Sequence, residues 1–206
     1  YERYQNELAE ARAVDFDDLL MRCVMLFRDQ PQVLAKYQDR WQYLLVDEFQ
    51  DTNVAQYVWA RLLAGERRNI CVVGDPDQSI YSWRSADIRN ILNFEQDFPD
   101  CTVVRLEENY RSTKTILEAA SALIAPNTQR KQVSLFTNNA EGAPIVVREG
   151  YDEEEEAYFV AQECERLVNK EGRRWAHCAV LYRTNAQSRA LEEAMVRNSI
   201  PYRLIG

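Results

Sequence analysis

The chain has 206 residues, 46% of them hydrophobic and 28% charged, a composition typical of a globular protein with one large domain or two small ones. It contains no run of eighteen apolar residues, which excludes a predicted membrane-spanning helix. The net charge of −8 argues mildly against a nucleic-acid-binding protein. However, five of the acids lie together at 152–156, where a helix is expected to start, so a local basic or aromatic site is compatible with this balance.

In chain order, apolar residues at three- and four-residue spacings predict helices, and short apolar runs predict buried strands. The predicted helices span 1–28, 54–65, 86–98, 112–124, 152–172 and 186–198. The predicted strands span 42–47, 69–75, 101–106, 144–150, 177–183 and 201–206. Gly65 is expected to end the second helix, and Ser112 or Thr113 to cap the fourth. The polar stretch 126–143 is expected to be a connecting loop.

Helices and strands alternate along the chain, which is typical of an α/β fold with parallel strands and helices on the faces of the sheet. A boundary near 107–111 favours two α/β halves over one continuous sheet. The five cysteines are far apart and include no Cys-x-x-Cys pair, so they are expected to be reduced core thiols of a cytosolic protein.

The first candidate site is "LLVDEFQDTN" at 44–53, where a buried strand ends in Asp47 and Glu48. In open α/β sheets, ligands bind at the carboxyl ends of the strands. An apolar strand followed by Asp-Glu is the Walker B pattern, in which the Asp binds Mg²⁺ and the next acid activates a water. Taken alone, the pattern has a second interpretation, because many strands end in an acid that only caps the next helix.

Two further stretches also leave predicted strands. "VVGDPDQSIYSWRSA" at 72–86 combines the amide of Gln78 with Tyr81, Trp83 and Arg84, and aromatic faces with a guanidinium are typical of single-stranded nucleic-acid binding. A loop anchored by core aromatics is the alternative, above all for Tyr81. "RLEENYRST" at 105–113 contains Tyr110 and Arg111. This pair is common, and by itself it usually lies on the surface without a functional role.

Together and in this order, the three stretches resemble motifs II, III and IV of the UvrD/PcrA/Rep group of superfamily 1 DNA helicases. "VLYRTNAQSRALEEAM" at 180–195 resembles motif IVa, and "AVDFDDLL" at 13–20 resembles the segment that leads back into the first motor domain. The resemblance covers nearly the whole chain. It implies an α/β fold of RecA-like P-loop NTPase motor domains with parallel sheets, in partial form.

The resemblance implies ATP and Mg²⁺ as cofactors and assigns a role to each matching residue. Asp47 binds Mg²⁺, Glu48 activates the hydrolytic water and Gln78 senses the γ-phosphate. Tyr110 lies against the adenine, and Arg111 is an arginine finger directed at the γ-phosphate. The expected catalytic residues are therefore Glu48, Gln78 and Arg111.

The resemblance also implies single-stranded DNA and single/double-strand junctions as partners, with DNA repair or replication proteins beside them. Tyr81, Trp83 and Arg84 are expected to line the path of the single strand. Arg183 and Asn185 are expected to touch the strand from the second motor domain. Because Gln78 and Trp83 are close in sequence, closure of Arg111 on the phosphate would also shift a base away from Trp83.

The expected domains are the tail of an inserted helical subdomain at 1–12, the C-terminal part of the first motor domain at 13–108, and the N-terminal part of the second at 109–206. No Gly-x-x-x-x-Gly-Lys-[Ser/Thr] loop occurs in the sequence, and the family's late motifs V and VI are absent. The expectation is therefore an internal fragment that does not hydrolyse ATP by itself.

The function expected for the parent is an ATP-dependent 3′-to-5′ translocase and DNA helicase in the bacterial cytosol, associated with the nucleoid. Three alternatives stay open from the sequence. They are a helicase-nuclease subunit of the AddA or RecB type, a non-catalytic single-strand-binding scaffold, and an unrelated P-loop NTPase that does not bind DNA.

Overall fold

The computed structural model describes residues 1–128 and 133–205. The chain divides into two compact units, Tyr1–Ala143 and Pro144–Gly206. No helix in the described part of the chain is both long and apolar enough to cross a membrane.

Three helices open the first unit: α1 (Glu2–Glu10), α2 (Phe16–Asp29) and α3 (Pro31–Arg40). The single helix expected over 1–28 is wrong, because the chain turns between α1 and α2. Asp15 causes the restart: its carboxylate accepts a hydrogen bond from the backbone N–H of Asp18 at 2.7 Å, which makes Asp15 the N-cap of α2. Arg12, with φ +50°, supplies the reversal of the backbone just before it.

A parallel pair of strands, β1 (Leu44–Val46) and β2 (Ile70–Val72), forms the sheet, with Leu44 opposite Ile70 and Val46 opposite Val72. The crossover between them is α4 (Val54–Ala64), which ends at Gly65 with φ +50°, as predicted. This β-α-β unit confirms the parallel arrangement that the alternation of elements predicted.

The remaining helices of the first unit are α5 (Arg89–Leu92), α6 (Phe94–Asp97) and α7 (Lys114–Ile124). The helix expected over 86–98 is thus two short helices that part at Asn93. Thr113 occupies the N-cap position of α7, but its side chain makes no capping hydrogen bond. Short 3₁₀ turns lie at Phe49–Asp51, Gly65–Arg67, Pro76–Gln78 and Ser82–Arg84.

The core of the β-α-β unit is aromatic and lies directly behind the carboxyl end of β1. Phe49 is fully buried and meets Tyr57 and Phe94 edge-on, at ring-centroid distances of 6.0 and 5.6 Å. Ile91 and Phe98 complete this cluster. Phe49 immediately follows Glu48, so burial of its ring fixes the backbone on which the acidic pair is carried.

The second unit is built on α8 (Glu153–Glu171) and α9 (Ser188–Arg197), with 3₁₀ turns at Trp175–His177 and Asn185–Gln187. Asp152 caps α8 by accepting a hydrogen bond from the backbone N–H of Glu155 at 2.8 Å. The buried residues between the two helices are small or flexible, namely Ala157, Ala161, Cys164, Ala194 and Met195, joined by Ile200. These side chains allow the helices to pack closely.

Four of the predicted strands are wrong: 101–106, 144–150, 177–183 and the described part of 201–206 contain no strand. A strand exists only where a neighbour accepts and donates its backbone hydrogen bonds. Within the described residues these segments have no such neighbour, and several of their apolar side chains are exposed to solvent, with Val147 92% and Leu181 91% exposed.

All five cysteines are free thiols, as expected. Cys164 is buried in the core of the second unit, but Cys71 is exposed, so its predicted core position is wrong.

Candidate functional site

Asp47 and Glu48 lie where β1 ends, and both side chains are exposed. The backbone N–H of Glu48 donates to Oδ1 of Asp47 at 2.9 Å, which orients the Asp47 carboxylate. Glu48 itself adopts the left-handed conformation, with φ 49° and ψ 42°. Across the sheet, the Phe49 N–H donates to the carbonyl of Val73 at 3.0 Å, and this bond holds the ends of the two strand segments together.

A continuous set of hydrogen bonds joins Glu48 to Gln78. Nε2 of Gln50 donates to Oε2 of Glu48 at 2.8 Å, and Oε1 of the same amide accepts from the backbone N–H of Asp75 at 3.1 Å. Asp75 in turn accepts from Nε2 of Gln78 at 2.7 Å through its Oδ2. The structure therefore brings two of the expected catalytic residues into one network, although they are 30 positions apart in the sequence.

A cleft of about 390 Å³ borders the two carboxylates and extends along β1 to α4. Two buried polar atoms on its wall, Oδ1 of Asp51 and Nε1 of Trp59, have no hydrogen-bond partner among the described residues. The cleft offers both volume and polar groups to a ligand beside Asp47 and Glu48.

The donor set around Asp47 fits a magnesium ion shared with a ligand. Within residues 1–128 and 133–205, no three side chains of His, Cys, Asp or Glu come together as an all-protein metal cage. Mg²⁺ commonly takes one or two carboxylates and completes its shell with waters and phosphate oxygens. The exposed carboxylate of Asp47 matches that requirement.

Tyr81, Trp83 and Arg84 form one exposed cluster around the 3₁₀ turn Ser82–Arg84. The Tyr81 and Trp83 rings lie 6.2 Å apart, tilted by 46°. The Arg84 guanidinium carbon lies 4.5 Å from the Trp83 ring centroid and 5.3 Å from that of Tyr81. Because Trp83 is 66% exposed, the alternative of a core anchor does not describe this ring.

Tyr110 and Arg111 lie on a separate loop of the first unit, fixed by amide side chains. Oδ1 of Asn109 accepts from the backbone N–H groups of Arg111 and Ser112, and Nδ2 of Asn139 donates to the Tyr110 carbonyl at 3.0 Å. The Tyr110 hydroxyl donates to Glu108 at 2.7 Å, and this hydrogen bond raises the pKa of Tyr110.

The Arg111 side chain is exposed and, among the described residues, makes no hydrogen bond or ion pair with Asp47, Glu48 or Gln78. The loop is thus held by hydrogen bonds from Asn109 and Asn139, and none among the described residues joins Arg111 to the acidic pair. Asn139, which fixes it, comes from the stretch that the sequence predicted to be a connecting loop only.

Arg183 and Asn185 belong to the second unit, at and just before the 3₁₀ turn Asn185–Gln187. Both side chains are exposed. Oε1 of Gln187 accepts from the backbone N–H groups of Arg183 and Thr184, both at 2.9 Å, so Gln187 fixes the backbone from which Arg183 projects.

Two parallel strands, of which β1 ends in an acidic pair and β2 leads into the loop that carries Gln78, define a RecA-like α/β motor domain in partial form. The family models agree: residues 1–99 match the UvrD/REP helicase N-terminal domain, and residues 104–206 match the UvrD-like helicase C-terminal domain. The chain belongs to the UvrD-like helicase family.

Among curated proteins, the chain is 50% identical over all 206 residues to the ATP-dependent DNA helicase PcrA of Staphylococcus aureus. It is 48% identical over the same length to the ATP-dependent DNA helicase PcrA of Staphylococcus epidermidis. The chain spans 28% of the length of each of these relatives.

Proposed function

We propose that the protein to which this chain belongs is an ATP-dependent DNA helicase that moves along single-stranded DNA in the 3′-to-5′ direction. The observation that carries the proposal is the hydrogen-bond network from Glu48 to Gln78, which is followed within five residues by the exposed pair Tyr81 and Trp83. Gln78, a candidate contact to the γ-phosphate, and the candidate DNA-binding rings of Tyr81 and Trp83 thus lie on one loop. The two PcrA relatives are named ATP-dependent DNA helicases, which supports the same reading.

In the proposed mechanism, the chain's own residues supply water activation and charge stabilisation. Glu48 accepts a proton from the attacking water, and Gln78 forms a hydrogen bond to the γ-phosphate. Asp47 would hold Mg²⁺, which neutralises charge on the phosphates. Tyr110 stacks on the adenine, and Arg111 stabilises the charge of the transferring phosphoryl group when its loop closes.

On the DNA side, Trp83 stacks on a base while Arg84 contacts the backbone, with Tyr81 beside them. Arg183 and Asn185 contact the strand from the second unit. We propose single-stranded DNA and single/double-strand junctions as substrates, a place in DNA repair or replication, and a cytosolic, nucleoid-associated location.

The test is steady-state ATP hydrolysis by the full-length protein, with and without single-stranded DNA, for wild type and for Glu48→Gln. Glu66→Gln, an exposed residue of the 3₁₀ turn Gly65–Arg67, is the matched control. We expect strong stimulation by DNA in wild type and control, and its loss in Glu48→Gln with ATP binding retained.

Hydrolysis that does not respond to DNA would contradict the proposed coupling through the Trp83 loop. Absence of hydrolysis in wild type, with DNA binding retained, would instead support a non-catalytic single-strand-binding scaffold.

A further inference from the structure

Gln50 is the most deeply buried polar side chain near the acidic pair, with 1% of its surface exposed. It lies in the 3₁₀ turn Phe49–Asp51, beside the fully buried Phe49. A buried amide is costly unless its donor and acceptor are both satisfied. The buried position of the Gln50 amide is therefore explained by the groups that form hydrogen bonds with it.

Two of the hydrogen bonds of the Gln50 amide join two segments of chain and fix its orientation. Nε2 donates to the Glu48 carboxylate, and Oε1 accepts from the backbone N–H of Asp75. A flipped amide would set its oxygen against the carboxylate and its NH₂ against the N–H, and both contacts would be repulsive. A third contact, from the Ser79 hydroxyl to the Gln50 carbonyl at 3.4 Å, connects the same two segments.

Gly74 provides the space that this amide occupies. A Cβ atom built on Gly74 would lie 2.5 Å from Oε1 of Gln50 and 3.1 Å from the backbone nitrogen of Phe49. The φ angle of Gly74 is not positive, so its backbone conformation is open to other residues. The glycine at this position is therefore explained by close approach to Gln50.

We infer that Gln50 is a positioning residue that ties the Glu48 carboxylate to the loop carrying Gln78, Tyr81 and Trp83. Through this tie, DNA bound at the aromatic pair determines how well Glu48 is placed for hydrolysis. The inference deepens the proposed function and rests on it, because it takes Glu48 as the group that activates water.

The experiment uses Gln50→Met in the full-length protein, a substitution that keeps the side-chain volume and removes both amide groups. The matched control is Gln38→Met, because Gln38 is half-buried, donates to the Leu62 carbonyl at 2.7 Å, and lies away from the carboxylates. ATP hydrolysis is measured with and without single-stranded DNA, together with the Kd of a non-hydrolysable ATP analogue.

We expect Gln50→Met to lower DNA-stimulated kcat by about tenfold or more, since a small misplacement of a catalytic group has effects of that order. The analogue should bind as in wild type, and the ratio of stimulated to basal hydrolysis should fall towards one. A general loss of folded protein would lower both rates together and leave this ratio unchanged. The ratio therefore separates positioning from stability.

Gly74→Ala is the second variant, and it decides the matter should Gln50→Met fail to fold. It retains the amide but denies it space, so the same fall in the ratio is expected. A Gln50→Met enzyme with the stimulation ratio of Gln38→Met overturns the inference, as does an unchanged ratio in Gly74→Ala when Gln50→Met does not fold.

Glu48→Gln, measured beside these variants, identifies which of the two proposals has failed. Hydrolysis retained in Glu48→Gln contradicts the proposed function itself. Hydrolysis lost in Glu48→Gln but normally stimulated in Gln50→Met contradicts only the positioning role.

Discussion

Trp83→Ala is expected to weaken single-stranded DNA binding by the contribution of one stacked base. One face of the Trp83 ring is covered by the Arg84 guanidinium at 4.5 Å, which leaves the other face for a base. The Tyr81 ring is tilted by 46° from that of Trp83 at 6.2 Å, so the two rings do not form parallel walls for a second base. One base–aromatic stack contributes about 1–3 kcal/mol, so Kd should rise roughly 5- to 150-fold.

The assay is fluorescence anisotropy of a labelled oligothymidine with the full-length protein, at one fixed salt concentration because phosphate contacts make the affinity salt-dependent. Trp41→Ala is the matched control. Trp41 is also partly exposed and also carries an arginine, with Arg40 at 5.7 Å, but it stacks on Tyr37 at the end of α3.

Equal affinities for Trp83→Ala and Trp41→Ala would refute the argument that Trp83 is a stacking platform. A second measurement addresses Arg84 by itself: Arg84→Gln should reduce the salt slope of log K by about 0.7, the value for one released phosphate contact on a single strand.

Three further outcomes follow from the structure. Asn53→Ala removes the side-chain cap of α4 and should cost about 1 kcal/mol of stability, measurable as a fall of roughly 2–4 °C in the melting temperature; an unchanged melting temperature would contradict the cap. Burial and the hydrogen bond to Asp97 raise the pKa of Tyr57 from 10.0 to about 12, so this group stabilises the native state fully below pH 10 and loses that contribution as the pH rises through 12. Urea unfolding midpoints should therefore fall less steeply with pH between 10 and 12 in Tyr57→Phe than in wild type. Equal slopes in the two proteins would contradict the raised pKa of Tyr57. Arg111→Lys should reduce DNA-stimulated hydrolysis by about a thousandfold or more with ATP still bound, whereas the exposed Arg105→Lys should not; equal rates in the two variants would remove the arginine-finger role.

The helices with clear terminal signals could be predicted from the sequence. The acidic start of α8 becomes an N-cap at Asp152, and Gly172 ends it with φ +67°. Gly65 also ends α4 with a positive φ, +50°. Each signal acts within one turn of the helix, so it operates wherever the helix lies in the fold.

Strands could be predicted only where the partner strand is also present among the described residues. β1 and β2 pair with each other, and the β-α-β alternation indicated their parallel direction. The stretch at 145–147, Ile-Val-Val, has three consecutive apolar residues like each of them, yet it forms no strand. An apolar run favours burial, but the hydrogen bonds of a strand depend on a second segment that the run itself does not encode.

For the candidate site, the residues that carry the chemistry were easier to predict than the hydrogen bonds that join them. The positions of Asp47 and Glu48 followed from the end of an apolar run, and the sequence placed Tyr81, Trp83 and Arg84 on one loop. Gln50 was visible only as one more polar residue in an acidic stretch. Its importance depends on a contact with Asp75, 25 positions away, which no spacing rule predicts.

The backbone of Glu48 shows why the site needs so rigid a support. A non-glycine residue in the left-handed region costs on the order of 1–3 kcal/mol and persists only where its surroundings over-determine it. Here Phe49 is held by its buried ring and by the hydrogen bond from its N–H to Val73, while Gln50 is held by Glu48 and Asp75. These contacts fix the two residues after Glu48, and the strand β1 fixes the residues before it. The carboxylate is therefore aimed by the core of the β-α-β unit, and a change in the Asp75–Trp83 loop has a direct route to it through a single amide.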